Sequence, residues 1–385
     1  MATTTIVSGV QYSGIWSLAG QANAKALGTW PSQPGPALFS WGQNNLGQLG
    51  LGNTTYYSSP KQVGSLVSWS SLTNGSNFTL AIKTDGSLYA WGQNASGQLG
   101  LGNTTNYSSP KQVGALTTWS SVSAGFFHSL AIKTDGTLWS WGQGTQGQLG
   151  LGNTTSYSSP KQVGALTAWS KVEGGQYYSL AIKTDGTLWS WGQGSSGQLG
   201  LGNTSYYSSP KQVGALTTWS KLASNGASSL VIKTDGTLWT WGAGLFGQLG
   251  LGNTTDYSSP KQIGALTDWL NISGGYRAPI AIKTNGTLWS WGRNSTGQLG
   301  LGNTTNYSSP KQIGALTTWY KVNGGYDSAM AIKTDGTLWI WGRNQHGQLG
   351  LGNTTYYSSP KQLGSLTTWL DVSSGSYCTL AIKTT

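Results

Sequence analysis

The chain has 385 residues, with 21 Lys plus Arg against 10 Asp plus Glu, yet charged residues make up only 8% of it. So few charged and apolar residues would suit a disordered chain, but 21 Trp and 18 Tyr supply buried surface that disorder lacks. One cysteine, Cys378, excludes an intrachain disulfide framework and a cysteine-based zinc site.

Residues 1–36 stand outside the pattern that governs the rest. Met1 to Val7 lacks a basic stretch followed by an apolar run, which argues against a signal peptide. No window reaches the roughly 18 apolar residues of a membrane-spanning helix. Val7, Val10, Tyr12, Ile15 and Trp16 make a strand-like segment with almost no charge. It reads as an attachment element or a cap. Pro31, Pro34 and Pro36 form a stiff connector, since prolines cannot sit in a central strand.

From residue 37 to 385 the chain repeats itself. Gly-Gln-Leu-Gly-Leu-Gly-Asn-Thr begins at Gly47 and returns at Gly97, Gly147, Gly197, Gly247, Gly297 and Gly347, every 50 residues. Such a period marks a solenoid, a propeller or an array. Within a unit, Ser179–Thr184 and Thr187–Trp191 are β-prone runs on either side of Asp185-Gly186, a strong hairpin signal. A two-residue loop there sets Ile182 opposite Trp189 and Leu180 opposite Trp191 on a bulky face. Ala181 opposite Ser190 and Lys183 opposite Leu188 then make a smaller face. Gly192 to Asn203 must turn tightly. Pro210 opens a short run suited to a sheet edge, and Trp219–Leu222 supplies a fourth strand. Four strands per 50 residues fit one antiparallel propeller blade per repeat.

The chain's ends complete this arithmetic. The first Trp-Gly motif, at Trp41, has no Ile-Lys-Thr before it, and the last Ile-Lys-Thr, at Ile382, has no Trp-Gly after it. The expected fold is therefore all-β, a seven-bladed β-propeller closed by pairing of Leu38–Trp41 with Leu380–Thr384. Closure removes two exposed strand edges.

The Gly-Gln-Leu-Gly-Leu-Gly-Asn stretch, the Ser-Pro-x-x-Val step and the Ser-Leu-Ala-Ile-Lys-Thr-Asp-Gly-x-Leu-Trp-Ser-Trp-Gly hairpin resemble the repeats of the regulator of chromosome condensation family. The resemblance spans residues 37–385 and implies a seven-bladed propeller. Roles known in that family include nucleotide exchange on a small nuclear GTPase and binding to histones and DNA. Similar repeats also occur in bacterial and viral surface proteins. Uniform 50-residue units leave no room for the inserted β-wedge of the exchange factor, and only Lys25 is basic ahead of the ring.

Residues repeated in every unit are poor candidates for a specific site. The lysines at 83, 133, 183, 233, 283, 333 and 383, and at 61, 111, 161, 211, 261, 311 and 361, read as stems lying along sheet surfaces. Residues that differ between units are more informative. One patch holds Asn77, Phe78, Phe127, His128, Tyr177, Tyr178, Arg277 and Asp327, a mixed aromatic and polar set suited to recognition. A second includes Leu245 and Phe246, apolar among polar equivalents such as Asn94–Ser96 and Arg343–His346. A third is the single position 56, 106, 156, 206, 256, 306 and 356.

The sequence announces no catalytic pair, metal-ligand set or phosphate loop, so no enzyme activity, cofactor or metal is expected. The expected function is a non-catalytic structural or adhesive propeller of a virion (phage tail, fibre or capsid decoration) or a bacterial surface. It would contact a protein partner or surface glycan, assemble into a larger particle, and bind nucleic acid weakly and non-specifically at most. The alternative is an intracellular, cytoplasmic scaffold or a chromatin or GTPase regulator.

Overall fold

The structure is a computed structural model that describes residues 35–384. The attachment segment with Val7, Val10, Tyr12, Ile15 and Trp16 lies outside the described residues. Within them are 28 strands and no helix, in seven four-stranded antiparallel sheets. The expected seven-bladed propeller is present.

Two strands at each end of the chain share one blade. β1 (Ala37–Gly42) and β2 (Tyr57–Val67) precede the first complete blade. That blade runs β3 (Trp69–Asn74), β4 (Phe78–Lys83), β5 (Leu88–Gly92) and β6 (Tyr107–Gln112), from the central channel outward. The next five blades are β7–β10 (119–162), β11–β14 (169–212), β15–β18 (219–262), β19–β22 (269–312) and β23–β26 (319–362). β27 (Trp369–Ser374) and β28 (Cys378–Lys383) form the inner half of blade seven, in the order β2-β1-β28-β27. Leu38 pairs with Ile382 and Trp41 with Thr379, so the two orphan motifs do close the ring.

The hairpin differs from the two-residue reading in one respect with wide effect. Lys183 N–H donates to Thr187 O at 3.0 Å and Gly186 N–H to Lys183 O at 2.9 Å, so Thr184, Asp185 and Gly186 all belong to the loop. This is a type I turn closed by a left-handed glycine, with Gly186 at φ 78°. Asp185 is the turn's cap instead, its Oδ1 accepting from Thr187 N–H at 2.9 Å and from the Thr187 hydroxyl at 2.7 Å. The extra loop residue shifts the register by one, and a shift by one turns every side chain to the other face. Ala181 pairs with Trp189, Ile182 with Leu188 and Leu180 with Ser190. Leu180, Ile182 and Leu188 therefore share a face, while Ala181, Trp189 and Trp191 share the other. Pro210 also sits later than expected. Its strand starts at Tyr207, and the proline is accommodated because this is the outermost edge.

Each junction packs the aliphatic face of one blade on the indole face of the next. Leu130, Ile132, Leu138 and Val163 meet Trp169, Ala181 and Trp191, for example. The Gly-Gln-Leu-Gly-Leu-Gly loop clasps that junction. Its Gln98 carbonyl accepts from Trp141 Nε1 at 2.9 Å and from Ser129 Oγ at 2.7 Å, both on the following blade. The indole bond recurs at all seven junctions, including Trp41 Nε1 to Gln348 O at 2.9 Å where the ring closes. A Cβ on Gly100 would stand 2.7 Å from Trp141 Nε1, which is why the loop carries glycine there. Burying an indole contributes about 5 kcal/mol by area, against about 1 kcal/mol for its hydrogen bond. Burial drives the junction; the hydrogen bond orients it.

A second set of contacts runs along the channel wall. Side-chain oxygens at the fifth residue of the inner strand accept the next blade's backbone N–H, as in Ser123 Oγ from Gly174 at 3.0 Å and Asn323 Oδ1 from Ser374 at 2.9 Å. Thr73, Glu173, Ser273 and Ser373 act alike.

Candidate functional site

Alternating strand directions sort the connections onto two faces. The β3–β4 turns and the long loops between β5 and β6, with their equivalents, lie on one face, the loop face. The Thr-Asp-Gly hairpins and the 113–118 connections lie on the other, the turn face. All three variable patches fall on the loop face and touch one another. Gln43 Nε2 donates to the Tyr56 hydroxyl at 3.3 Å, and Tyr56 meets His346 edge-on at 5.6 Å. The Arg343 guanidinium lies 5.0 Å from the Tyr377 ring and that of Arg277 4.9 Å from the Phe246 ring.

The first patch divides by depth. Asn77, Phe127, Tyr177 and Arg277 are partly exposed, and Phe127 stacks on Tyr177 at 6.0 Å. One residue on, Phe78, His128 and Tyr178 are fully buried between blades, out of reach of a partner while the ring is closed. His128 shows what that burial does. Ser179 spends its hydroxyl proton on Gln148 O at 2.8 Å, so His128 Nε2–H is the donor in the 2.9 Å contact with Ser179 Oγ. Desolvation holds the imidazole neutral, with its pKa lowered to about 3. Tyr178 donates to Ser228 O at 2.5 Å, and burial raises its pKa. Both are junction residues.

Asp327 is also buried, but polar contacts surround it. Arg293 and Arg343 each reach it at 3.1 Å, and Gln298 Nε2 donates to it at 3.2 Å. Burial pushes its carboxyl pKa up, and the two guanidinium groups oppose that. Leu245 is 69% exposed, while Phe246 lies partly buried under Arg277 and Arg293. At the third position Tyr56, Tyr206 and Tyr356 stand out into solvent, whereas Asn106 and Asp256 fold back onto Asn94 N–H and Gly244 N–H at 2.7 Å.

The residues singled out from the sequence leave out the centre of this face, although the variable stretch 76–79 and its equivalents, read as one rim or the mouth of the channel, contains it. Tyr276 and Tyr326 stack at 4.1 Å with their planes 9° apart, and Phe126 reaches them from across the ring at 6.0 and 6.5 Å. Together they cover the mouth of the central channel, a cavity of about 360 Å³ lined by the inner strands. Gly226 leaves room for this lid, since a Cβ there would come 3.1 Å from the Tyr276 ring. The signal was present, because position 76 and its equivalents vary as freely as position 77. Inside the channel, Glu173 takes hydrogen bonds from Ser224 and Ser123, yet burial still raises its pKa to about 7.

The lysines behave as stems on sheet surfaces. Lys183 Nζ lies 3.8 Å from the Trp189 ring centroid and 5.1 Å from that of Trp169. Lys171, Lys221 and Lys321 also belong to the turn-face end of the channel, with exposed Tyr320 next to Lys321 and exposed Leu270 and Leu370 at the equivalent position of other blades. These variable positions were not singled out from the sequence either. Among the described residues no group of three or more His, Cys, Asp or Glu could hold a metal ion, and no helix is long and apolar enough to cross a membrane.

The regulator of chromosome condensation (RCC1) repeat signature matches residues 37–82, 85–132, 135–182, 185–232, 235–282, 285–332 and 335–382. The chain belongs to the RCC1 repeat family. A second RCC1 repeat signature matches 70–98, 119–148, 169–198 and 319–348. Among solved structures, the RCC1 propeller here is similar to human WBSCR16, with 23% identity and a TM-score of 0.82 over 91% of this chain and 99% of that one. It is similar to Prp20p of Saccharomyces cerevisiae at 20% identity and a TM-score of 0.82, over 91% and 92% of the two chains. Yeast RCC1 (Prp20) bound to Kap60 aligns at 19% identity and a TM-score of 0.79, over 99% and 95%. At these identities the likeness is one of fold. No curated protein matches the chain by sequence.

Proposed function

We propose that this RCC1 propeller is a non-catalytic scaffold or regulator that binds a protein partner on its loop face. One observation carries the reading. Three patches where the repeats differ, separated by up to 30 residues within a unit, come together on that face, while the repeated residues are occupied in junctions and turns. A ring whose backbone is uniform can diversify its loops without disturbing its core, and rigid aromatics there offer contact area at little ordering cost. Prp20p, which shares the fold, has binding properties toward Gsp1p and histones, and this favours a protein ligand and the intracellular alternative over an adhesive virion or surface module. The adhesive reading remains the second one, because exposed tyrosines such as Tyr56 and Tyr206 also suit glycan stacking.

A photo-crosslinking residue placed at Leu245, and separately at Leu166 on the turn face, tests the proposal in the cell of origin. A discrete protein adduct from the Leu245 position alone is expected. Equal capture from both positions, or a carbohydrate adduct, overturns it.

A further inference from the structure

All three arginines of the chain, Arg277, Arg293 and Arg343, lie in one sector of the loop face, on blades five and six. The described lysines lie elsewhere, on outer edges and toward the turn face, many against tryptophan or tyrosine rings. This segregation of guanidinium from ammonium is not imposed by the repeat, because Arg293 and Arg343 stand at a position that is Gln in four other units and Ala in one, and Arg277 has no arginine at any equivalent position.

The three guanidinium groups are held differently. Arg293 and Arg343 are fixed by the buried Asp327 carboxylate, one to each oxygen at 3.1 Å. Asp256, the other carboxylate of this face, already accepts from Gly244 N–H. Arg277 has no carboxylate partner among the described residues. Its guanidinium lies 4.9 Å from the Phe246 ring and 4.8 Å from the Tyr276 ring, and its backbone sits at φ 65°, a left-handed conformation that costs a non-glycine residue energy. Stacking on a ring leaves a guanidinium's in-plane N–H fork free for a carboxylate. Leu245 stands exposed beside this group.

We propose that the Arg277–Phe246–Leu245 sector binds an acidic peptide segment of a partner protein, with a carboxylate on Arg277 and an apolar neighbour on Leu245. This rests on the loop face being the binding face. Charge complementarity selects the occupant. Three guanidinium groups against two carboxylates leave a surplus of one positive charge, which one acidic side chain balances. A nucleic-acid strand needs successive cations along its phosphates, and here the lysines that would extend such a track lie elsewhere. A basic histone tail would be repelled from this sector.

The test uses the full chain and three fluorescein-labelled probes: a short peptide alternating Glu and Phe, its Gln-for-Glu counterpart, and single-stranded DNA of matching charge. Anisotropy titrations should show the Glu peptide binding at least tenfold more tightly than the other two, with affinity falling as salt rises. Arg277→Gln should weaken it about tenfold and Arg277→Lys nearly as much, since an ammonium lacks the fork. Melting temperatures should stay within a few degrees of the parent. Equal affinity for the Gln peptide, tighter binding of DNA, or an unaffected Arg277→Gln variant overturns the proposal. Capture at Leu245 that survives Arg277→Gln would sink this inference and leave the loop-face reading standing. No capture at Leu245 would sink the loop-face reading, which the peptide titration does not address.

Discussion

At the scale of single residues, the turn glycine and the channel glutamate make opposite demands. Gly186 and Gly164 both have positive φ, at 78° and 62°, but a Cβ on Gly186 would stand 2.1 Å from Thr217 O while one on Gly164 meets nothing within 4 Å. Alanine at either site meets the same backbone penalty of about 1 kcal/mol, and only Gly186→Ala must also displace a neighbouring carbonyl. Chemical denaturation should therefore find Gly186→Ala about 2 kcal/mol less stable than Gly164→Ala; equal losses would mean that the hairpin does not pack on that connection. Glu173 acts through protons. Its pKa of about 7, against 4.5 for an unperturbed glutamate, means that between those values the folded chain keeps a proton the unfolded chain has released. Its contribution to stability must fall as pH rises through that window and level off above it. Glu173→Gln should flatten this slope and raise stability at pH 8 by about 2 kcal/mol, discounted for water in the channel. A variant with the parent's pH profile would show that Glu173 titrates normally.

At the scale of the element, the blade is a unit made to be clasped. Trp141→Phe keeps most of the buried ring and removes the donor to Gln98 O, to which Ser129 Oγ still donates. The expected loss is about 1–2 kcal/mol in denaturant melts. The same change at Trp41, on the closing junction, should cost as much, because Gln348 O is approached at the same 2.9 Å. Unequal losses would mean that ring closure is weaker than the other junctions. The hairpin register belongs to this scale as well. Asp-Gly is legible in the sequence as a turn, but whether two or three residues lie in the loop is decided by where Asp185 places its carboxylate. With Oδ1 capping Thr187, the left-handed conformation falls on Gly186 alone.

At the scale of the whole molecule, closure joins residues more than 300 apart in sequence. Removing residues 1–42 deletes β1, leaves β28 with an open edge, and separates β2 from its only neighbour. A broader and lower melting transition is expected, with association visible in light scattering. A truncated chain that melts like the parent would overturn the closure. The net charge of +11 invites a nucleic-acid reading, but the lysines that carry it are dispersed around seven blades. Duplex and single-stranded DNA should bind weakly and be released by physiological salt; sequence-dependent binding that survives it would contradict this.

What the sequence determined by itself was everything that repetition writes seven times over. The period gave the blade, the Trp-Gly and Ile-Lys-Thr motifs gave its central hairpin, and the two orphan half-motifs at Trp41 and Ile382 gave the closure. These are local patterns or simple counts, so they survive without coordinates. What only the tertiary structure decided was where the unrepeated residues end up. Asn77 and Phe78 are adjacent in sequence, but Asn77 stays in the β3–β4 turn on the loop face while Phe78 opens β4 and is buried in a junction. Phe126 and Tyr276 lie 150 residues apart and meet because ring closure brings all seven inner strands around one axis. Asp327 finds Arg293 because curvature sets the loops of neighbouring blades side by side, whereas Arg343 reaches it within one blade, where Ser328 pairs with Gly342. Contacts of that kind depend on the angle between blades, which no single repeat encodes.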